Sequence, residues 1–467
     1  MSHISTSRRS GHSRPGIRSF RQAFGWTVGV LLALCGVFLA LGYLQGPKLS
    51  SAQLDADAVV SSADQTLRLF LNQSVAAVAV DAVTVEPAAA VSVTSEADLV
   101  SLTFDGPLEY NTAYTVTVDD VVSISGGSAS TIDYSFTTGE PELYYLDRGE
   151  PTDEIVQTGL SGSARSVLFA GEGIQEFVPV GELLAVTTAS ADRIGTLQLV
   201  NPQTGITERV LLPEVGEVAD LDASRSGSTL GFTISSVDRG PNETISHTLY
   251  TVDVDRGRDV VAVAGIDGEP MRVLGWQFIP GTSNIVALTT DTTVVRVDLA
   301  SGDVVPLGQY FEFDRVSADG THVVLTDPRG SAAVSLSDGS ETRLFPSPID
   351  DEQPFLGQAD VDATGALIAK MVLVGQTAGT FSSVLAYDDG DVSRVLYQTV
   401  DDKGAILDFR VSPNGQFVAV EVHPNFSVFD SDEYVMAARP RSVTTYIVEV
   451  ATGAVTRSVE GFGAVWR

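Results

Sequence analysis

The hydrophobic pattern changes rhythm along the chain. From Phe24 to Leu44 it runs without a charge, as FGWTVGVLLALCGVFLALGYL. At 1.5 Å per residue this makes about 31 Å of helix, enough to cross a hydrocarbon core of ~30 Å. From Thr66 the period becomes two, with Leu67, Leu69 and Leu71 alternating with Arg68 and Phe70. Such alternation marks strands with one buried face. Further short strands are predicted over 82–85, 91–94, 99–104, 112–118 and 134–138, separated by turn signals such as Asp105-Gly106-Pro107 and Gly126-Gly127.

Beyond Pro141 two strand–turn–strand signatures alternate, and residues 314–342 (DRVSADGTHVVLTDPRGSAAVSLSDGSET) show both together. The first signature occurs six times, around Gly181, Gly227, Gly281, Gly320, Gly365 and Gly415. Its glycines recur at the spacing of four-stranded propeller blades. The second occurs seven times, from LYYLDRGEPTDEIVQT at Leu143 to TYIVEVATGAVTRSV, and VEGFGAVWR at the end reads as one lone innermost strand. An unmatched half at each end predicts a ring closed by shared strands, which removes exposed sheet edges. The expectation over residues 143–467 is seven blades, one of them composite. Six is the alternative, because the composite blade is short of a recognisable strand.

Two stretches resemble known families. Leu108 precedes Tyr114 by six residues, and Tyr114 opens the run Thr-Val-Thr-Val. This is similar to the tyrosine corner of Ig-like sandwiches, in which the hydroxyl caps nearby backbone. With LTF at 102–104 and the closing YSFTTG at 134–139, residues 60–139 resemble the bacterial Ig-like domains of the SbsA type. The Ala-rich stretch 86–90 departs from that pattern. The resemblance implies a spacer or adhesion module with no catalytic residues, and a structural role for Tyr114. In the repeats, Ser412-Pro413-Asn414-Gly415 and Ser317-Ala318-Asp319-Gly320 pair with later VDL-TG-like turns. That pairing resembles TolB-type or WD-like β-propellers. The full tryptophan–aspartate signature is absent, so Trp276 and Trp466 read as core.

Charge adds topology. The first 45 residues hold five arginines and no acid, so the acidic excess behind the net charge of −32 lies entirely in residues 46–467. The positive-inside rule then places residues 1–23 as a disordered cytoplasmic tail, 24–44 as a single-pass anchor in the lipid bilayer, and the remainder outside the cell. Trp26 and Tyr43 fall near the two membrane interfaces. Residues 45–59 read as a linker, and Ser50-Ser51-Ala52 supplies a cleavage site if the segment is instead a signal peptide. A surface this acidic repels phosphate backbones, so nucleic acid is not an expected partner. Cys35 is the only cysteine, which excludes an intrachain disulfide and a cysteine-based zinc site.

Candidate chemistry is sparse. His247, His322 and His423 lie in separate repeats, without the spacing of a metal site or triad. Gly227-Ser-Thr-Leu-Gly231 has the glycine spacing of a nucleophile elbow but places Thr229 where the serine belongs. The acidic clusters Asp350-Asp351-Glu352, Asp401-Asp402 and Asp430-Ser-Asp432-Glu433 match no EF-hand loop; no cofactor is expected, a weak Ca²⁺ site being the remaining alternative there. Asp253/Asp255 and Asp360/Asp362 alternate along strands and face the channel or an edge, or simply reflect the polarity of their hairpins. The longest loop within a repeat, residues 423–441, mixes aromatics, acids and arginines; long loops on rigid scaffolds often carry recognition, the alternative being a variable surface loop without a partner. Its candidate interaction residues are Phe426, Phe429, Asp432, Tyr434, Arg439 and Arg441. The expected whole is an all-β ectodomain on one transmembrane helix, an Ig-like sandwich followed by a propeller. Its expected work is non-enzymatic recognition of an extracytoplasmic protein or glycan. The alternative is hydrolysis of extracellular glycans by channel carboxylates.

Overall fold

The computed structural model describes residues 17–44, 46–149, 151–162, 165–224, 227–237, 247–374, 380–400, 403–428 and 430–466. Two compact units emerge. One comprises Met1–Asp55, Thr66–Asp105 and Ala113–Phe136; the other comprises Ala56–Gln65, Gly106–Thr112 and Thr137–Arg467.

The first unit contains a helix over Ile17–Leu44 and two antiparallel sheets. Residues 24–44 are therefore helical, but among the described residues no helix is long and apolar enough to cross a membrane. The first sheet orders Leu49–Gln53, Thr66–Leu71, Leu99–Phe104 and Val91–Glu96; the second orders Val83–Glu86, Ala113–Val121 and Ser130–Thr137. Leu49–Gln53, which the sequence reads as linker, is thus an edge strand pairing with Thr66–Leu71. The period-two reading holds in the core, where Leu67 faces Leu102 across the ladder, Leu69 faces Val100, and all four are buried. Tyr114 is buried and stacks on Phe136 at 5.6 Å, and Phe104 meets the same ring edge-on.

In the second unit, seven four-stranded blades are found among the described residues. Their inner strands are Ile174–Val180 (blade 1), Glu217–Ala223 (2), Arg272–Phe278 (3), Glu312–Val316 (4), Phe355–Val361 (5), Ala405–Val411 (6) and Phe462–Trp466 (7). Blades 2 and 3 merge into one eight-stranded sheet, because His247 and Thr248 pair with Val273 and Arg272. Blade 7 is composite. Its inner strand comes last in the chain and pairs with Glu142–Asp147, with Phe462 opposite Leu146 and Trp466 opposite Leu143. Ser166–Gly171 supplies its fourth strand, the one the sequence left unread.

The core lies between blades. Leu197 and Leu199 of blade 1 pack against Val218, Leu230 and Phe232 of blade 2. Second strands are covered on both sides, so Phe417–His423 is buried at every position, and each fully buried Leu or Phe contributes roughly 1.5–3 kcal/mol. Antiparallel pairing sets two faces. The hairpin turns between first and second strands, and between third and fourth, share one of them, here the turn face. The connections between blades and the loops between second and third strands share the other, the loop face.

Candidate functional site

Every inner strand breaks its register once. The slips fall between Ile174 and Glu176, Ala219 and Asp222, Val273 and Gly275, Phe313 and Arg315, Leu356 and Ala359, Ile406 and Asp408, and Phe462 and Val465. A bulge inserts an extra residue and re-aims the side chains beside it. Here it helps bring a polar group from nearly every blade to a central cavity of about 420 Å³.

These groups bind the blades to one another. The Leu221 N–H donates to Glu176 Oε2 (2.8 Å), Phe278 N–H to Asp222 Oδ2 (2.8 Å), Val316 N–H to Gln277 Oε1 (2.7 Å) and Ala359 N–H to Asp314 Oδ2 (2.8 Å). Each links one inner strand to the next, and a bulge leaves backbone groups that need such partners. At the closing joint, Glu421 Oε1 accepts from Gly463 N–H (2.6 Å), and Trp466 Nε1–H donates to the Arg410 carbonyl (2.9 Å).

Three arginines stand among these acids. Arg315, with 4% of its side chain exposed, donates to the Phe409 carbonyl (2.7 Å) and Asp408 Oδ1 (3.1 Å), lies 3.6 Å from Asp314, and stacks over Phe409. Arg410 pairs with the other Asp408 oxygen at 3.2 Å and keeps 43% of its side-chain surface open, although it lies deep in the channel. Arg439, from the inserted loop, pairs with Glu421 at 3.1 Å. Burial would lift the Asp408 carboxyl, but Arg410 and Arg315 together hold it below its usual range. Burial wins elsewhere. It pushes Glu176 up to about 7 against its bond from Leu221, and Asp360 up to about 6 against the pull of Arg315. Asp314 and Glu421 move upward for the same reason.

A second cavity, of about 620 Å³, opens on the loop face beside blade 7. The inserted loop between strands Phe417–His423 and Thr444–Glu449 of blade 6 forms one wall, and Arg148 pins it there. The Arg148 guanidinium meets Asp432 at 2.6 Å and donates to the carbonyls of Ile174 (3.2 Å), Gln175 (3.1 Å) and Ala437 (3.1 Å). It also lies 3.8 Å over the Tyr434 ring, whose hydroxyl donates to buried Asp153.

Residues 45–138 match the bacterial Ig-like domain family (Big_5). Among curated proteins none matches the chain. Solved structures similar to it include oligogalacturonate lyase from Vibrio parahaemolyticus, at 11% identity over 66% of this chain and 86% of that one, with a TM-score of 0.46. The β-propeller domain of the Trilobed protease from Pyrococcus furiosus is 12% identical over 72% and 90%, TM-score 0.41. A putative 6-phosphogluconolactonase from Bacteroides fragilis is 12% identical over 70% and 98%, TM-score 0.40. Likeness at this level leaves the strand pairing itself as the ground for a propeller.

The residues singled out in sequence divide sharply. Asp432, Tyr434 and Arg439 face inward and hold the loop to the ring. Phe426 is exposed, and Arg441 is half exposed with Asp430 at 3.8 Å; Phe429 lies outside the described residues. Of the paired acids, Asp360 lines the channel, whereas Asp362 closes a hairpin turn by accepting from the Thr364 and Ala366 N–H groups. Asp253 likewise caps its turn through Ser228, Asp255 and Arg256. Thr229 opens a strand rather than an elbow, and Gly231 is needed because a Cβ there would lie 2.2 Å from the Trp276 ring. His247 meets the Ser235 hydroxyl and His423 the Ser442 carbonyl; among the described residues no group of His, Cys, Asp and Glu is placed to hold a metal ion. Of the other acidic clusters, Asp350, Asp351 and Glu352 are exposed, and Asp401-Asp402 lies outside the described residues. The channel groups Glu176, Arg315, Asp408 and Arg410 went unread. Their only signal was a break in strand alternation at the same place in each repeat.

Proposed function

We propose that this chain is a single-pass, membrane-anchored binding protein, with residues 1–23 in the cytoplasm and the bulk of the chain outside the cell. In this reading the Ig-like domain is a spacer and the propeller a non-catalytic recognition platform. The anchor and its orientation rest on the uncharged run from Phe24 to Leu44 and the five arginines before it.

One observation carries the recognition reading. Four channel side chains, Glu176, Asp222, Gln277 and Asp314, are engaged in joining blades, each staple pairing a side-chain oxygen with a backbone N–H of the next inner strand. Hydrolysis by channel carboxylates needs acids free to reach substrate; Glu176, Asp222 and Asp314 instead hold the ring together. Crosslinking on intact cells followed by pull-down is expected to recover an extracytoplasmic protein or glycan, and its failure to recover either sinks the proposal.

A second reading has its own observation. Glu176, held near 7, and Asp360, held near 6, line the same cavity, and carboxyls with raised proton affinity are what glycan hydrolysis uses as general acids. Turnover of an extracellular glycan by the full chain, abolished by Glu176→Gln or Asp360→Asn, would favour it over recognition.

A further inference from the structure

The exposed aromatic surface of the propeller is one-sided. Phe311, Phe345, Phe355, Phe381 and Phe426 are 48–78% exposed, and these are all the phenylalanines that the described propeller leaves exposed. Phe311 lies in the connection from blade 3 to blade 4, and Phe345 in that from blade 4 to blade 5. Phe355 opens the inner strand of blade 5, Phe381 opens its third strand, and Phe426 lies in the loop inserted in blade 6. Antiparallel order places all five on the loop face, in the sector of blades 4 to 6. Val400, in the connection from blade 5 to blade 6, and Val428, in the inserted loop, add to it. Large apolar residues exposed on the turn face are few and aliphatic: Ile206, Val392 and Val455.

Scattered exposed apolar residues are ordinary on a soluble surface, but aromatics gathered in one sector mark an interaction site. Charge around them selects the occupant. Glu312, Asp350, Asp351, Glu352, Asp430 and Glu433 are all exposed in this sector. Against them stand exposed Lys403, Arg441 beside Asp430, and Arg329 already between Asp327 and Glu341. Aromatic anchors ringed by acids complement apolar side chains flanked by lysine or arginine. Anionic bilayers and nucleic acids carry the wrong sign.

We infer that the loop face of blades 4 to 6 is a docking surface for a basic polypeptide segment that inserts apolar side chains among these phenylalanines. This rests on the propeller being a binding platform, and it names the face and the chemistry of the partner.

The test uses the full chain in detergent and two short fluorescent peptides, one of leucine and lysine, the other with glutamate in place of lysine. Fluorescence anisotropy should show the lysine peptide binding, more weakly in high salt, and the glutamate peptide not binding. Phe345→Ser with Phe355→Ser, and separately Phe381→Ser with Phe426→Ser, should each weaken binding by about tenfold. Ile206→Ser with Val392→Ser, on the turn face, should leave it unchanged. If a phenylalanine pair also lowers the melting temperature, Asp351→Lys with Glu352→Lys supplies the independent reading, with a severalfold loss expected. Equal binding by all variants reduces the effect to diffuse attraction by an acidic protein and overturns the inference. So does equal binding of the glutamate peptide, or phenylalanine-dependent binding to zwitterionic vesicles alone. A native partner crosslinked on cells and indifferent to the phenylalanine variants overturns this surface while leaving the recognition reading intact.

Discussion

The channel wall and the loop face belong to the same blades and handle their exceptional residues in opposite ways. In the channel, charged groups are given partners, and Arg315 and Glu421 are taken out of water: Arg315 joins Asp314 and Asp408, and Glu421 joins Arg439 and two backbone N–H groups. On the loop face, phenylalanine side chains are left about half or more exposed to water. Removing a buried charge partner strands the other charge in a poor solvent. Removing an exposed ring leaves the fold as it was. The difference teaches where to look for each property: stability in the channel and, on the proposed reading, partner choice in the loops.

The largest test of this contrast is Arg315→Ala. It leaves Asp314 and Asp408 facing each other without the guanidinium and removes its bond to the Phe409 carbonyl. Denaturant unfolding should show a loss of about 3–5 kcal/mol. A loss no greater than that of an exposed residue would break the comparison.

Glu176 sharpens it through pH. Its carboxyl titrates near 7 in the folded protein, raised by burial and by Asp220 against the Leu221 bond and Arg439. In the unfolded chain it titrates near 4.5. The folded state therefore binds this proton more tightly, so the stability it lends is complete below about 4.5 and is lost as pH rises through about 7. The span corresponds to about 3 kcal/mol. Glu176→Gln should remove that slope and leave the protein more stable than the parent above pH 7, read as melting temperature against pH. An unchanged slope would assign the pH dependence to other groups.

Gly415 gives a smaller effect. It sits at φ 71° in the turn where Asn414 accepts from the Gln416 N–H and the Ser412 hydroxyl from the Phe417 N–H. Gly415→Ala should cost roughly 1 kcal/mol, since a Cβ disfavours that conformation. The serine variants of the loop-face phenylalanines close the series, with stability changes within about 0.5 kcal/mol.

Much of the fold was legible because folding needs repeat. Turn glycines and alternating apolar positions recur blade after blade, and the mismatch between six copies of one signature and seven of the other pointed to the composite blade. Its fourth strand, Ser166–Gly171, escaped notice because it carries no turn signature and half of its residues are exposed or flanked by glycine. The strand Leu49–Gln53 was hidden by its Ser-Ser-Ala-Gln composition, which reads as linker until an edge position is seen to tolerate it. The channel was illegible for a different reason. Each inner strand shifts phase within itself, so Asp408 and Arg410 fall where simple alternation does not place them. In the inserted loop, composition identified an unusual segment but could not tell Tyr434, which faces Asp153, from Phe426, which faces water.

Closure by the strand Phe462–Trp466 has a consequence for the order of assembly. Its partner, Glu142–Asp147, emerges more than three hundred residues earlier and must wait through the synthesis of six blades. Contacts this distant in sequence form late. Until they do, two sheet edges stay open to pair with another copy of the same chain. The interval between the first blade and the last strand is when these edges are open to misassembly, and the finished ring no longer offers them.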